Sequence, residues 1–71
     1  MIYAAVIAKT RTGYSAHIPD LPGCIATGKT LAQTQRLLQE AVAIHIAGMR
    51  EDGLPIPKPT TVVETFSVTE T

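Results

Sequence analysis

Residues 30–55, TLAQTQRLLQEAVAIHIAGMREDGLP, carry the strongest structural signal in the chain. Thr30 is a favourable helix N-cap, and Gln33 three residues later completes a capping box. Gly53 suits the left-handed position after a helix, and the proline two residues later prevents continuation. We therefore predict one long amphipathic helix over residues 31–49. The residues at helical spacing are Leu31, Thr34, Leu37, Leu38, Ala41, Val42, Ile44, His45 and Met49.

Four short segments read as β-strands. Three of them, residues 2–8, 14–18 and 24–27, precede the helix, and residues 61–69 follow it after the proline-rich connector 55–59. The first segment has apolar residues on both of its faces. This pattern is typical of a central strand that is covered on both sides. The fourth is rich in β-branched residues, which favour strands.

The order of the elements, βββαβ, predicts the topology of a single α+β domain spanning residues 1–71. Two hairpins make the first three strands antiparallel, and the helix is a crossover to a fourth strand parallel to the first. With the first strand in the middle, we expect a four-stranded mixed sheet of order 3-2-1-4. The single helix lies on one face of this sheet.

Composition argues against several classes of function. Six Lys and Arg balance six Asp and Glu, so the charge gives no reason to expect non-specific nucleic-acid binding. The longest apolar run, residues 2–8, is too short to span a membrane and has no basic residue before it, as a signal peptide would. We expect a cytoplasmic protein. A chain of this length buries only about 60% of its surface, which is marginal for a lone domain.

Residues that could carry chemistry are few. Cys24 could act as a nucleophile beside His17 or His45, but its position at the start of a strand is more typical of a small buried hydrophobe. Glu64 and Asp20 are too scattered for a metal-dependent nuclease. We predict no catalytic residue, no metal site and no cofactor.

The loop at residues 19–24, PDLPGC, is the most distinctive short motif. Its prolines fix φ, its aspartate can cap the turn and its glycine permits an unusual dihedral angle. It is either a rigid connection or a recognition element, and Leu21 between the prolines is expected to be exposed. The predicted partner-binding surface joins this loop to the second strand and comprises Tyr14, His17, Pro19, Asp20, Leu21, Pro22 and Gly23.

Three motifs together resemble the HicB antitoxin family: the PDLPGC loop, the TGKTL sequence at residues 27–31 and the GLPIPKP sequence at residues 53–59. The resemblance covers residues 1 to about 68. It implies a truncated RNase H-like domain that binds and occludes a HicA-like ribonuclease toxin, which cleaves mRNA. The alternative is a solitary small-molecule- or RNA-binding module on the same scaffold, without a toxin partner.

We also expect a homo-oligomer, most simply a dimer, without direct DNA binding. Only twelve residues follow Pro59, and the predicted fourth strand uses most of them, so no DNA-binding module is expected. One helix leaves the second sheet face uncovered, and the fourth strand is an apolar edge. The predicted oligomer interface comprises Val62, Val63, Phe66, Val68, Ile46 and Met49.

Overall fold

The computed structural model describes residues 1–70 and has one sheet and one helix. Three strands, β1 (Val6–Lys9), β2 (Tyr14–His17) and β3 (Ile25–Gly28), precede the helix α1 (Leu31–Glu51). The strands form an antiparallel meander in the order β1-β2-β3. The α+β class with a single helix is therefore confirmed.

The fourth strand is the main difference from the sequence prediction. Residues 61–69 form no strand, and every residue from 60 to 70 is exposed. We call residues 60–70 the C-terminal arm. The sheet of the described chain therefore has three strands, and β1 is an edge strand rather than a central one. The prediction was wrong here because the arm does not lie along β1: its first residues are hydrogen-bonded to the loop after β2.

The start of α1 has the predicted capping box. The hydroxyl of Thr30 accepts a hydrogen bond from the backbone N–H of Gln33 at 3.1 Å. The side-chain oxygen of Gln33 accepts one in return from the backbone N–H of Lys29 at 2.8 Å, one residue earlier than the usual capping box. Two backbone donors at the helix N-terminus are thereby satisfied by local side chains.

The end of α1 also follows the prediction. Gly53 adopts a positive φ of 66°, and its N–H donates to the carbonyl of Arg50 at 3.1 Å. The N–H of Leu54 donates to the carbonyl of Met49 at 2.9 Å. This pair of bonds is a Schellman motif, in which glycine tolerates the left-handed conformation that ends the helix.

A small core lies between α1 and the sheet. Its fully buried apolar residues are Ala16, Ile18, Leu21, Cys24 and Leu38. Thr34 is buried among them, and its hydroxyl donates to the carbonyl of Thr30 at 2.8 Å, so no polar group is left unsatisfied there. Gly28 permits the close approach of β3 and α1, because a Cβ at this position would lie 2.6 Å from the hydroxyl oxygen of Thr34.

The molecule is extended for its mass. Its accessible surface is 5,709 Å², whereas a folded chain of 7.6 kDa is expected to expose about 4,300 Å². Its radius of gyration is 14.3 Å, against about 11 Å for a compact domain of this length. Within residues 1–70, no helix is both long and apolar enough to cross a bilayer.

Candidate protein-binding surface

The PDLPGC loop is closed by its own backbone. The N–H of Leu21 donates to the carbonyl of Ile18 at 3.0 Å, and the N–H of Cys24 donates to the carbonyl of Leu21 at 3.0 Å. The N–H of Ile18 donates to the carbonyl of Cys24 at 3.1 Å and closes the base of the loop. Gly23 supplies the positive φ of 83° that this turn requires. The loop is therefore a compact and preformed structure.

Leu21 points into the core, contrary to the sequence prediction. Its side chain is only 1% exposed and belongs to the same buried cluster as Leu38. The backbone hydrogen bonds on both sides of Leu21 fold the loop back towards α1 and turn its side chain inward. Pro22 and Gly23 are exposed at the tip of the loop, whereas Pro19 is half-buried. The expectation that Leu21 is an exposed contact residue is therefore wrong.

Asp20 joins the loop to the beginning of the C-terminal arm. Its carboxylate accepts hydrogen bonds from the backbone N–H groups of Thr60 and Thr61, each at 3.1 Å. It also accepts hydrogen bonds from the two threonine hydroxyls, each at 3.0 Å. The N–H of Thr61 is the largest influence that lowers the pKa of Asp20, and the other three bonds act in the same direction. We call Thr60 and Thr61 the root of the arm.

A second contact holds the connector before the root. The hydroxyl of Tyr3 donates to the carbonyl of Pro57 at 2.5 Å. Because Val6 pairs with His17 in antiparallel register, continuing that register places Tyr3 at the same end of the sheet as Asp20. The connector therefore crosses this end of the sheet from the β1 side towards the loop after β2.

The two predicted site residues of β2 lie on opposite faces of the sheet. Tyr14 is on the same side as Ala16, which is buried under α1, whereas His17 is exposed on the other side. His17 is paired with Val6 on β1 and with Ile25 on β3, so the three side chains form one row across the uncovered face. We call this row the open-face row.

The open-face row is apolar at both ends. Val6 is 44% exposed and Ile25 is 64% exposed, and His17 lies between them. Strand pairing fixes the spacing of the row, so its side chains present a fixed surface. Alternation along the strands could have found this row from the sequence. It was missed because the pairing partners of His17 depend on the register of both hairpins.

The alternative of cysteine chemistry has no geometric support. Cys24 is buried in the core, and burial raises the pKa of its thiol, which disfavours the nucleophilic thiolate. His17 is exposed on the uncovered face of the sheet, and His45 is half-buried on α1. Across residues 1–70, no group of three or more His, Cys, Asp or Glu could hold a metal ion.

The predicted oligomer residues differ in their exposure. Val62, Val63, Phe66 and Val68 are all exposed on the arm. By contrast, Ile46 packs against the core and Met49 is half-buried. Ile46 therefore receives from its own domain the cover that the sequence analysis expected from elsewhere.

The fold and these surfaces define a small α+β domain made of a three-stranded meander crossed by one helix. A family model described as the HicB-like antitoxin of bacterial toxin-antitoxin system matches residues 3–70. The chain belongs to the HicB-like antitoxin family, as the motifs of the sequence indicated.

The chain is also similar to individual proteins of a phage and of a bacterium. The chain is 41% identical over 58 residues to an uncharacterized 14.9 kDa protein of Haemophilus phage HP1, covering 82% of this chain but 44% of the phage protein. It is 35% identical over 54 residues to a UPF0150 protein of Helicobacter pylori, covering 76% of this chain and 75% of that protein. The chain thus spans less than half the length of the phage relative.

Two solved structures are similar as well. A chain in the HicA3 and HicB3 toxin-antitoxin complex superposes with a TM-score of 0.73 at 37% identity, covering 87% of this chain and 72% of that one. The crystal structure of the antitoxin HicB3 gives a TM-score of 0.69 at 39% identity, covering 83% of this chain and 43% of that one.

Proposed function

We propose that this protein binds and occludes a HicA-like toxin, a ribonuclease that cleaves mRNA, and does no chemistry itself. Its family and its likeness to a chain in a complex of HicA3 and HicB3 support this proposal. On this proposal it acts in the cytoplasm, and its domain is of the truncated RNase H-like type. The observation that carries the proposal is the open-face row.

The row has the character of a small protein-binding surface. Val6 and Ile25 expose apolar side chains on a face that α1 does not cover, and His17 between them offers ring nitrogens for a hydrogen bond. Clustered apolar groups on a rigid support, with a polar group among them, are typical of contact sites that contribute most to binding. Pro22 and Gly23 are exposed at the tip of the loop that joins β2 to β3, next in sequence to the strands that carry His17 and Ile25.

The remaining predicted site residues have different parts in this proposal. His17 lies in the contact row, whereas Tyr14 is half-buried on the opposite face of the sheet and Pro19 is half-buried in the loop. Asp20 connects the loop to the arm through its bond to Thr61, and Leu21 anchors the loop in the core. We also propose that the protein is a homodimer and that this domain does not bind DNA on its own.

Binding to the toxin can be tested by calorimetry. The probe is a purified HicA-like toxin from the same genome, for which the neighbouring reading frame is the first place to look, with an RNA cleavage assay alongside. We expect Val6→Asp and Ile25→Asp each to weaken binding by about 100-fold, because each places a charge in an apolar contact. Ile44→Asp is the matched control, since Ile44 is an exposed aliphatic residue on α1, 73% accessible and outside the row.

The outcomes separate the two candidate functions. Inhibition of RNA cleavage by the wild type, with the loss confined to the row variants, supports the proposal. A purified protein that carries bound RNA or a small molecule and ignores the toxin would support the solitary binding module instead. RNA cleavage by the purified chain alone would contradict the proposed lack of chemistry.

A further inference from the structure

The C-terminal arm has the composition of a strand without a strand to pair with. Val62, Val63, Phe66 and Val68 are all at least two-thirds exposed, and residues 60–70 make no strand pairing within the described chain. β-Branched and aromatic residues at this density favour an extended backbone paired in a sheet. A long, apolar and unpaired strand is a site of association with another chain.

The structure also has a groove without an occupant. No Cα atom of α1 lies within 8 Å of a Cα atom of β1, since α1 packs against β2 and β3. The space between them measures about 550 Å³, and its walls include Tyr3, Ala5, Ile7, Leu38 and Val42. Within residues 1–70, β1 pairs with β2 on one side and has no partner strand on its outer edge.

We propose that two copies of this chain exchange their C-terminal arms. The arm of each copy adds a fourth strand to the outer edge of the other copy's β1. Because side chains alternate along a strand, Val62, Phe66 and Val68 share one face of the arm and fill the groove between β1 and α1. This position is the one that the sequence analysis assigned to the chain's own fourth strand.

The position of the root favours pairing of the arm with a second copy of the chain, rather than insertion of the arm into the groove of its own chain. Contacts at Tyr3 and Asp20 lead the connector across the end of the sheet and away from the outer edge of β1. To reach its own groove, the arm would have to reverse direction directly after Thr61. Residues 62–66, VVETF, which follow the root directly, contain no Gly, Pro, Asn, Asp or Ser, the residues that dominate tight turns.

The exposed area agrees with an exchanged dimer. The accessible surface of 5,709 Å² exceeds the expected area of a folded chain of this mass by about 1,400 Å². A stable dimer of standard size buries about 800 Å² on each partner. The excess is therefore more than sufficient for such an interface, and the arm carries much of the exposed apolar side-chain surface.

Of the two charges on the groove face of the arm, Glu64 and Glu70, the first has suitable neighbours. Glu64 shares its face with Val62 and Phe66. Gln35 and Gln39 line the helix side of the groove, and their amide groups can donate hydrogen bonds to a carboxylate. The groove therefore offers an apolar wall for the valines and phenylalanine and polar donors for the glutamate.

Light scattering on a sizing column tests the exchange with the full chain and without any toxin. We expect a wild-type mass of 15.2 kDa at micromolar concentration, twice the chain mass of 7.6 kDa. An arm variant, Phe66→Asp with Val68→Asp, should raise the dimer dissociation constant by about 100-fold. A groove variant, Ala5→Glu, should have a similar effect, whereas Ile44→Asp, an exposed aliphatic position outside the groove, should remain dimeric.

Mixing the two variants gives the decisive result. An equimolar mixture should recover a heterodimer, because one intact arm then meets one intact groove. Both sets of substitutions change exposed residues, and the far-ultraviolet circular dichroism of α1 verifies that each variant is folded. The proposal would be overturned if the wild type were monomeric or if the arm variant dimerised as tightly as the wild type. It would also be overturned if the equimolar mixture formed no heterodimer. None of these results depends on whether the protein binds a toxin.

Discussion

The carboxylate of Asp20 accepts two hydrogen bonds from Thr61, one from its backbone N–H at 3.1 Å and one from its hydroxyl at 3.0 Å. These residues are 41 positions apart in the sequence. The contact fixes where the chain leaves the domain after the proline-rich connector. It thereby sets the point from which the C-terminal arm extends.

Replacing Asp20 should release the root of the arm. An Asp20→Ala variant removes all four acceptor contacts to Thr60 and Thr61. We expect the amide hydrogen exchange of these two residues to approach that of an unstructured peptide, while exchange in α1 is unchanged. Asp52→Ala is the matched control, since it removes an exposed aspartate at the end of the helix. Equal protection of Thr61 in both variants would contradict the assigned anchor.

The same anchor should respond to acid. The hydrogen bonds, that of the Thr61 N–H first, lower the pKa of Asp20 below its ordinary value of 3.8. A lowered folded pKa means that the anchor's contribution to stability is fully present above the unfolded value. It is lost as the pH falls through the lower folded value.

Nuclear magnetic resonance can follow this titration. The amide resonances of Thr60 and Thr61 should be constant from neutral pH down to the ordinary aspartate range and shift only below it. In an Asp20→Asn variant, which cannot titrate at this position, the shift should disappear. A midpoint above 3.8 in the wild type would reverse the sign and refute the anchor.

Leu21 should contribute to stability despite its position in a loop. Leu21→Ala removes a side chain that is 1% exposed, so we expect the free energy of unfolding to fall by about 2–5 kcal/mol. Leu54→Ala removes the same atoms from a position that is 52% exposed, and should change stability by about 0.5 kcal/mol at most. Urea denaturation measures both. Equal effects would mean that the loop does not hold Leu21 in the core.

Two glycines should respond to alanine in opposite directions. At Gly28 the added Cβ would lie 2.6 Å from the hydroxyl oxygen of Thr34, which cannot move without losing its bond to Thr30. We expect Gly28→Ala to cost about 1–3 kcal/mol. Gly48 lies within α1 with no atom within 4 Å of an added Cβ, so Gly48→Ala should stabilise by about 1 kcal/mol. Thermal unfolding of the pair compares them, and two changes of the same sign would contradict this view.

The thiol of Cys24 should react only when the domain opens. It is buried, and burial raises the pKa of the thiol, so both access and the thiolate fraction are reduced. We expect alkylation in native buffer to be slow and to accelerate with urea in parallel with unfolding. A Cys24→Ala chain carrying Thr12→Cys provides an exposed thiol as a control. Rapid alkylation of Cys24 in native buffer would contradict its burial and would favour a reactive cysteine.

The helix could be predicted because its signals are local. The Thr30–Gln33 cap and the Gly53 end are each complete within a few residues, and both are present as expected. Only the donor to the Gln33 side chain differs, being Lys29 rather than Thr30. The positions of the first three strands were predicted to within a few residues because turn residues separate them.

The remaining features could not be predicted because they depend on contacts between residues that are distant in sequence. The β-branched composition of residues 61–69 favours a strand, but composition does not show whether a pairing partner lies within the same chain. Nothing near Asp20 indicates that its acceptors serve Thr60 and Thr61. Leu21 was misassigned because its flanking prolines suggest exposure, whereas the hydrogen bonds that close the loop turn it inward. The partner-binding role of the loop and of His17 stays a prediction.

The stiffness of the connector, fixed at Pro57 by Tyr3 and at Thr60 by Asp20, has a consequence for the geometry of assembly. The proposed reciprocal exchange of the arms relates the two copies by a twofold axis and closes the assembly at two, and a stiff connector keeps each arm on one heading towards the same partner. If glycines replaced the prolines of the connector, the heading would vary and each copy could pass its arm to a third. Head-to-tail addition of that kind has no natural end, and its product is a fibre.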